Sequence, residues 1–345
     1  MTQSYLFKSI GKQKSVPCSQ APHSRILMDL ISMLKIQKHI YRLKRLCHRE
    51  ELKLLVDVSH CNLRCALCPR GGVSGLKNEA KGLMSFDIFK KIIDKFKKEQ
   101  VGIRELEFGN WGEPLLNPDL PKMIRYAKKE WSPKYMGRAG SIGISSNLTC
   151  LINPDELLQS GVSRIRVSIS GMKQETYSKN HIGGSIKDVL ENIIKLARIK
   201  SKRNLKDVEI GIGFHDLIYN KNEAIEVKQF CANHRLSFTL LPMYISSVEE
   251  NILFHQQKDR MLKHYSQFID INRELAAMKT AKRADKCQYR RSIIVVSFNG
   301  DLVRCCGVYG SNYFMGSILN HRIRDVLKIK SPICESCIKT PMSWR

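Results

Sequence analysis

A chain of 345 residues with 43% hydrophobic content can bury a large α/β core plus an appendage, and it is too apolar to read as disordered. No apolar run reaches the length of a membrane span, and the stretch "SRILMDLISMLKIQKHIYRLKRL" gives no expectation of a signal peptide, because Asp29 breaks it and basic residues follow. Twelve cysteines in that setting point to metal or redox chemistry in a reducing cytoplasm, and a net charge of +26 reads first as a solubilising surface and second as an attraction for anionic partners, without the interleaved aromatics of a single-strand binder.

Residues 1–50 read as a basic N-terminal arm with one amphipathic helix, about 24–47, that either docks on the main domain or meets a partner or membrane surface. From residue 52 onward, β-branched runs alternate with amphipathic stretches. Strands are expected over 52–58 (LKLLVDV), 104–109 (RELEFG), 141–146 (SIGISS), 164–170 (RIRVSIS), 207–214 (DVEIGIGF) and 237–243 (SFTLLPM). The helical stretch 85–99 opens on Ser85 as a cap and spaces Phe86, Phe89, Ile92, Ile93 and Phe96 at helical intervals. Further helical patterns cover 118–131, 154–161, 185–200 and 222–234, with Gly161 and Asn233 as stop signals. Six such repeats with continuous apolar strands predict a parallel α/β sheet, with an ordinary doubly wound sheet as the alternative.

Residues 251–286 read as a helical connector. Beyond them "RSIIVVSFNGDLVRCCGVYG" predicts a β-hairpin with a type I′ turn at Asn299-Gly300, followed by a short helix and a final cysteine pair.

Cys61, Cys65 and Cys68 stand in the spacing C-x3-C-x2-C just after the first expected strand, at the sheet edge where α/β folds place ligands. Three soft ligands with no obvious fourth suggest a metal site left open; a zinc site would need a distant ligand such as His60. Cys287, Cys305, Cys334 and Cys337 form a second set that could hold a structural zinc in a ribbon-like fold. Adjacent residues on a strand point to opposite faces, so Cys305 and Cys306 should not both ligate. Cys18, Cys47, Cys150 and Cys231 lack partner spacing. His181 and His215 follow the fourth and fifth strands as acid–base candidates or as satisfied loop histidines.

The triplet in this context resembles the radical S-adenosylmethionine superfamily, over residues 52–245. The resemblance implies a partial (β/α)6 TIM-like barrel over 51–250. In that barrel the three cysteines hold a [4Fe–4S] cluster whose fourth iron takes S-adenosylmethionine. "GNWGEP" is similar to the family's glycine-glycine-glutamate-proline motif: Gly112, Glu113 and Pro114 match, and Trp111 stands where a glycine is usual. The resemblance further implies cofactor contacts from Ser145 and Asn147 on the third strand, from Ser168 and Ser170 on the fourth, and apolar contact with adenine from Leu67. Cys287, twelve residues, Gly300, four residues and Cys305, then Cys334-x2-Cys337, are similar to a twitch/SPASM-like domain. That likeness implies one auxiliary [4Fe–4S] cluster held by residues 287–345, with Cys305 selected by the glycine spacing.

A reducing partner such as flavodoxin or ferredoxin follows from the same resemblance. The expected activity is hydrogen abstraction from a small-molecule substrate, possibly anionic or sugar-like, leading to oxidation or epimerisation of a sugar- or cyclitol-type alcohol. Epimerisation needs a thiol donor, for which Cys306 and Cys231 are the candidates. The alternatives are a peptide-modifying maturase and, from charge alone, an RNA-modifying enzyme.

Overall fold

The computed structural model describes residues 52–72, 81–131, 140–281, 287, 289–303, 305–329 and 332–343. The basic arm of residues 1–50, with the helix expected over about 24–47, lies outside the described residues. Six parallel strands, β1 (Leu52–Val56), β2 (Ile103–Phe108), β3 (Ser141–Ser146), β4 (Arg164–Ile169), β5 (Glu209–Asp216) and β6 (Ser237–Pro242), run in sequence order across one sheet. Helices α1 (Phe86–Lys98), α2 (Leu120–Glu130), α3 (Pro154–Gln159), α4 (Gln174–Asn180), α5 (Ile186–Lys202) and α6 (Glu223–Asn233) alternate with them. The parallel α/β expectation holds, and the sheet is open: β6 stands at one edge and does not return to β1.

Helix α1 begins where the sequence places it, because the Ser85 side chain accepts from the Ile88 amide and caps the first turn. Its Phe89, Ile92, Ile93 and Phe96 are fully buried against the sheet. They meet Leu54, Val56, Leu106 and Phe108 from β1 and β2 in the main apolar core. Each such side chain contributes roughly 1.5–3 kcal/mol by leaving water.

The strands alternate, contrary to the expectation of continuous apolar runs. Leu106, Ile144, Ile165, Val167 and Ile212 face the helices and are buried, whereas Lys53, Glu107, Ser145, Arg166, Ser168 and His215 line a cavity on the other face. That face needs polar residues because it borders open space rather than a second packed layer.

After α7 (Val248–Gln256), α8 (Lys258–Tyr265), α9 (Ile271–Thr280) and the short α10 (Tyr289–Ser292), strand β7 (Ile293–Val296) pairs in parallel with β1. Strands β8 (Asp301–Val303) and β9 (Phe314–Ser317) extend the sheet antiparallel from there, giving nine strands. The hairpin forms, but not with a type I′ turn. In its loop only Gly300 has a positive φ, 86°, and the Gly300 amide donates to the Ser297 carbonyl at 2.9 Å. This is the three-residue loop with a left-handed glycine. The Asn299 side chain spends its polar atoms on Ser297 and Asp301 instead of entering the left-handed region. The chain closes with α11 (Ile323–Val326) and α12 (Pro332–Lys339). No helix among the described residues is long and apolar enough to cross a membrane.

Candidate active site

The loop after β1 carries the cysteine triplet, and its course is set by hydrogen bonds to residues far along the chain. The Arg64 amide donates to the Ile182 carbonyl at 3.1 Å and Ala66 to Asn180 at 2.9 Å. The Leu67 amide donates to Asn180 Oδ1 at 3.2 Å. Within the loop, Cys68 donates to Cys65 at 3.0 Å, and Gly71 and Gly72 close back on the Cys68 carbonyl at 3.0 and 2.7 Å. Asn180 ends α4, a helix the sequence reading passed over.

All three thiols are half-buried. Burial first, and then the neighbouring thiols, push Cys65 up, while Cys68 is raised to about 12, mainly by burial. Left alone Cys65 and Cys68 stay protonated; strong metal bonds would hold them as thiolates. The Asn147 side-chain Nδ2 points at Cys61 Sγ, 3.7 Å away, the kind of contact that tunes a sulfur ligated to iron. The donor set suits an iron–sulfur cluster with one position left for a cosubstrate.

The second loop, after β2, is built around Asp57. Its Oδ1 accepts from the consecutive amides of Asn110, Trp111 and Gly112 at 2.7, 3.0 and 3.1 Å. Gly112 is required by close approach: a Cβ there would sit 2.1 Å from the Ser59 carbonyl oxygen. Glu113 is buried and turned inward. It accepts from Ser146 Oγ at 2.7 Å, the Asn147 amide at 2.7 Å and the Leu115 amide at 3.1 Å. Burial outweighs these bonds and lifts its carboxyl to about 7. Glu113 thereby ties the β2 loop to the end of β3, and Pro114 starts the 3-10 turn that follows.

Ser145 joins Glu107 and Arg166 at 2.8 and 2.9 Å and lines the cavity, as does Ser168. Ser170 does not: it is fully buried, with its hydroxyl engaged by the Tyr177 carbonyl at 3.2 Å and by His181 Nδ1 at 2.7 Å. Leu67 packs into the apolar cluster with Leu217, Phe254 and Tyr265. His181 stacks between Tyr177 and His215, and burial drives it well below the usual histidine range. It is a satisfied structural histidine. His215, lowered to about 4 by burial and then by Arg166, reaches the cavity.

At the far side, Cys287, Cys305, Cys306 and Cys337 line that same cavity, of about 810 Å³. Cys334 lies one turn from Cys337 on α12. The expectation that Cys305 and Cys306 point to opposite sheet faces fails, because β8 ends at Val303 and both residues follow it outside the strand. Cys306 lies near enough to Cys287 for that thiol to help raise it, after burial. Cys231 is corrected as a donor candidate: it is buried on α6 in the main core and is not among the cavity-lining residues. Among the described residues, no three Cys, His, Asp or Glu side chains converge as ligands of a single ion do.

Two contacts tie the Asn110–Gly112 loop to the C-terminal turn. Trp111 Nε1 donates to the Val308 carbonyl at 2.9 Å and Asn110 Nδ2 to the Cys306 carbonyl at 3.4 Å. Arg70 donates to Cys61 O at 3.1 Å and to the Tyr309 hydroxyl at 2.8 Å, completing the link. Asp57, Arg70, Asn180 and Arg166 all escaped the sequence reading.

A parallel partial barrel with three open thiols after its first strand defines an iron–sulfur enzyme that takes a cosubstrate at the cluster. Residues 55–223 match the family model described as the Radical SAM superfamily, so this stretch of the chain is a Radical SAM domain. Its cofactors are a [4Fe–4S] cluster and S-adenosylmethionine. A probable GTP 3′,8-cyclase of Methanococcus maripaludis is 26% identical over 252 residues, 71% of this chain and 73% of the relative. A tungsten-containing aldehyde ferredoxin oxidoreductase cofactor-modifying protein of Pyrococcus furiosus is 29% identical over 158 residues, 45% of this chain and 40% of that protein. In fold, the chain is similar to SuiB of Streptococcus suis bound to S-adenosylmethionine, with a TM-score of 0.54 and 13% identity over 88% of this chain and 72% of the other.

Proposed function

We propose that this radical S-adenosylmethionine enzyme takes a hydrogen atom from a hydroxyl-bearing carbon of a sugar- or cyclitol-type substrate, and that the substrate ends oxidised. One observation carries the reading. A single cavity runs from Gly109–Trp111, past Ser145, Ser168 and His215, to Cys287, Cys305, Cys306 and Cys337. Cys61, Cys65 and Cys68 would hold a cluster able to supply the electron that splits S-adenosylmethionine, and Cys287, Cys305, Cys334 and Cys337 would hold a second, able to accept the electron that oxidation releases. The chain's own residues do the positioning. Asp57 fixes the Asn110–Gly112 loop, and Trp111 and Arg70 hold the two sulfur-bearing regions in register.

Anaerobically reconstituted protein should release 5′-deoxyadenosine from S-adenosylmethionine after reduction, and alanine at Cys61, Cys65 and Cys68 should abolish this. Retained cleavage in the triple variant would sink the reading. Epimerisation is the outcome if solvent deuterium enters a product carbon in the wild type and not in Cys306→Ala. A second reading, cyclisation of a purine nucleotide, is favoured by the relatives named as GTP 3′,8-cyclases. Consumption of GTP together with S-adenosylmethionine would select it.

A further inference from the structure

Among the described residues, the charge facing the cavity is not balanced. Lys53 pairs with Glu105 at 3.1 Å, and Arg164 pairs with Glu105 and Glu107, each at 2.8 Å. Those two cations and two carboxylates cancel. Arg166, two residues along β4 from Arg164, has no carboxylate partner among the described residues. Its Nη2 donates to Ser145 Oγ, and that oxygen is already bonded to Glu107.

The neighbouring strands leave room for the guanidinium. On β5, Gly211 stands opposite Arg166 in the register, and a Cβ on Gly213 would approach the Arg166 side chain to 3.4 Å. Arg166 is exposed, although it lies on the cavity face of a central strand. Around it stand the Ser168 hydroxyl and the neutral His215 ring. Guanidinium offers paired donors that match carboxylate or phosphate oxygens, and with no carboxylate beside it among the described residues Arg166 keeps most of them for whatever enters the cavity.

We propose that Arg166 binds an anionic group, a carboxylate or a phosphate, of the molecule occupying the cavity, and we assign that group to the substrate. The substrate is then an acid or a phosphate ester rather than a neutral polyol. This rests on the reading of the cavity as the substrate site. S-adenosylmethionine also carries a carboxylate, so the test separates the two sources.

Binding of inorganic pyrophosphate and of S-adenosylmethionine is measured separately by calorimetry on the reconstituted chain at physiological ionic strength. Arg166→Gln should weaken pyrophosphate binding by about tenfold or more, Arg166→Lys should recover part of it, and S-adenosylmethionine affinity should not move. Arg198→Gln removes the same charge from an exposed position on α5 and should leave pyrophosphate binding unchanged. Equal pyrophosphate binding by wild type and Arg166→Gln overturns the inference. So does a loss confined to S-adenosylmethionine, which would give the arginine to the cosubstrate. Cleavage of S-adenosylmethionine by the same samples reports separately on the enzymatic reading, which survives if only the pyrophosphate difference is missing.

Discussion

Asp57 offers a direct test of how the loop after β2 is held. Asp57→Ala strands three consecutive amides that now reach one carboxylate oxygen at 2.7, 3.0 and 3.1 Å. At the low end of the cost of an unsatisfied donor, about 1 kcal/mol each because these residues are half-buried, the loss is about 3 kcal/mol. For a unit of nearly 300 residues that corresponds to about 5 °C in Tm. Asp57→Asn keeps an acceptor in the same place. Burial outweighs the three amides and holds the Asp57 carboxyl above its usual range, so the fold gains nothing from the charge itself. Asparagine should therefore cost about 1 kcal/mol or less. Thermal unfolding of the three proteins side by side, with S-adenosylmethionine affinity by equilibrium dialysis, checks both statements. Alanine should lower affinity by about tenfold or more while asparagine retains it. If asparagine proves as damaging as alanine, the charge matters and the reasoning is wrong.

Trp111→Phe removes the indole donor to Val308 at 2.9 Å while keeping a ring beside Tyr309, and should cost about 1 kcal/mol in denaturant unfolding. His215, held down to about 4 against an ordinary 6.5, is neutral in the fold, whereas the unfolded chain takes up its proton. Stability should thus be full above pH 6.5 and fall as the pH drops towards 4, by about 3 kcal/mol from His215 alone; a flat urea midpoint across that range counts against it. Iron analysis should give about eight irons per reconstituted chain and about four after Cys334 and Cys337 become alanine. Stoichiometric zinc with a single cluster's iron would place zinc at the tail instead.

The strands were legible as β-branched runs, and α1 was legible down to its Ser85 cap, because local propensity and packing agree there. The cysteine triplet was legible because spacing alone marks it. Asp57 was not, since a carboxylate in "VDV" acquires its meaning only when the β2 loop brings three amides to it. Asn180 escaped for the same reason, as the short α4 matters through its contact with a loop more than a hundred residues earlier. The alternation in "RIRVSIS" was visible and holds Arg166 and Ser168 on one face, yet the apolar half of the pattern reads as a buried strand when taken alone. At the hairpin, the Asn-Gly pair announced a turn correctly. Its type was decided by side-chain bonds of Asn299 that no dipeptide rule contains.

The pairing of β1 with β7 has a consequence for how the molecule is made. Lys53 lies opposite Ile293, so the earliest of the described strands waits for one of the last to complete its ladder. Until then β1 is an edge whose Leu52, Leu54 and Val56 can recruit another chain as readily as their own. Closure over so long a loop is slow, because entropy must be lost before any contact repays it. Removing the C-terminal strands would therefore do more than delete the second cysteine set. It would fix the nascent edge permanently, and the shortened barrel should aggregate during synthesis with every residue of its first cysteine loop intact.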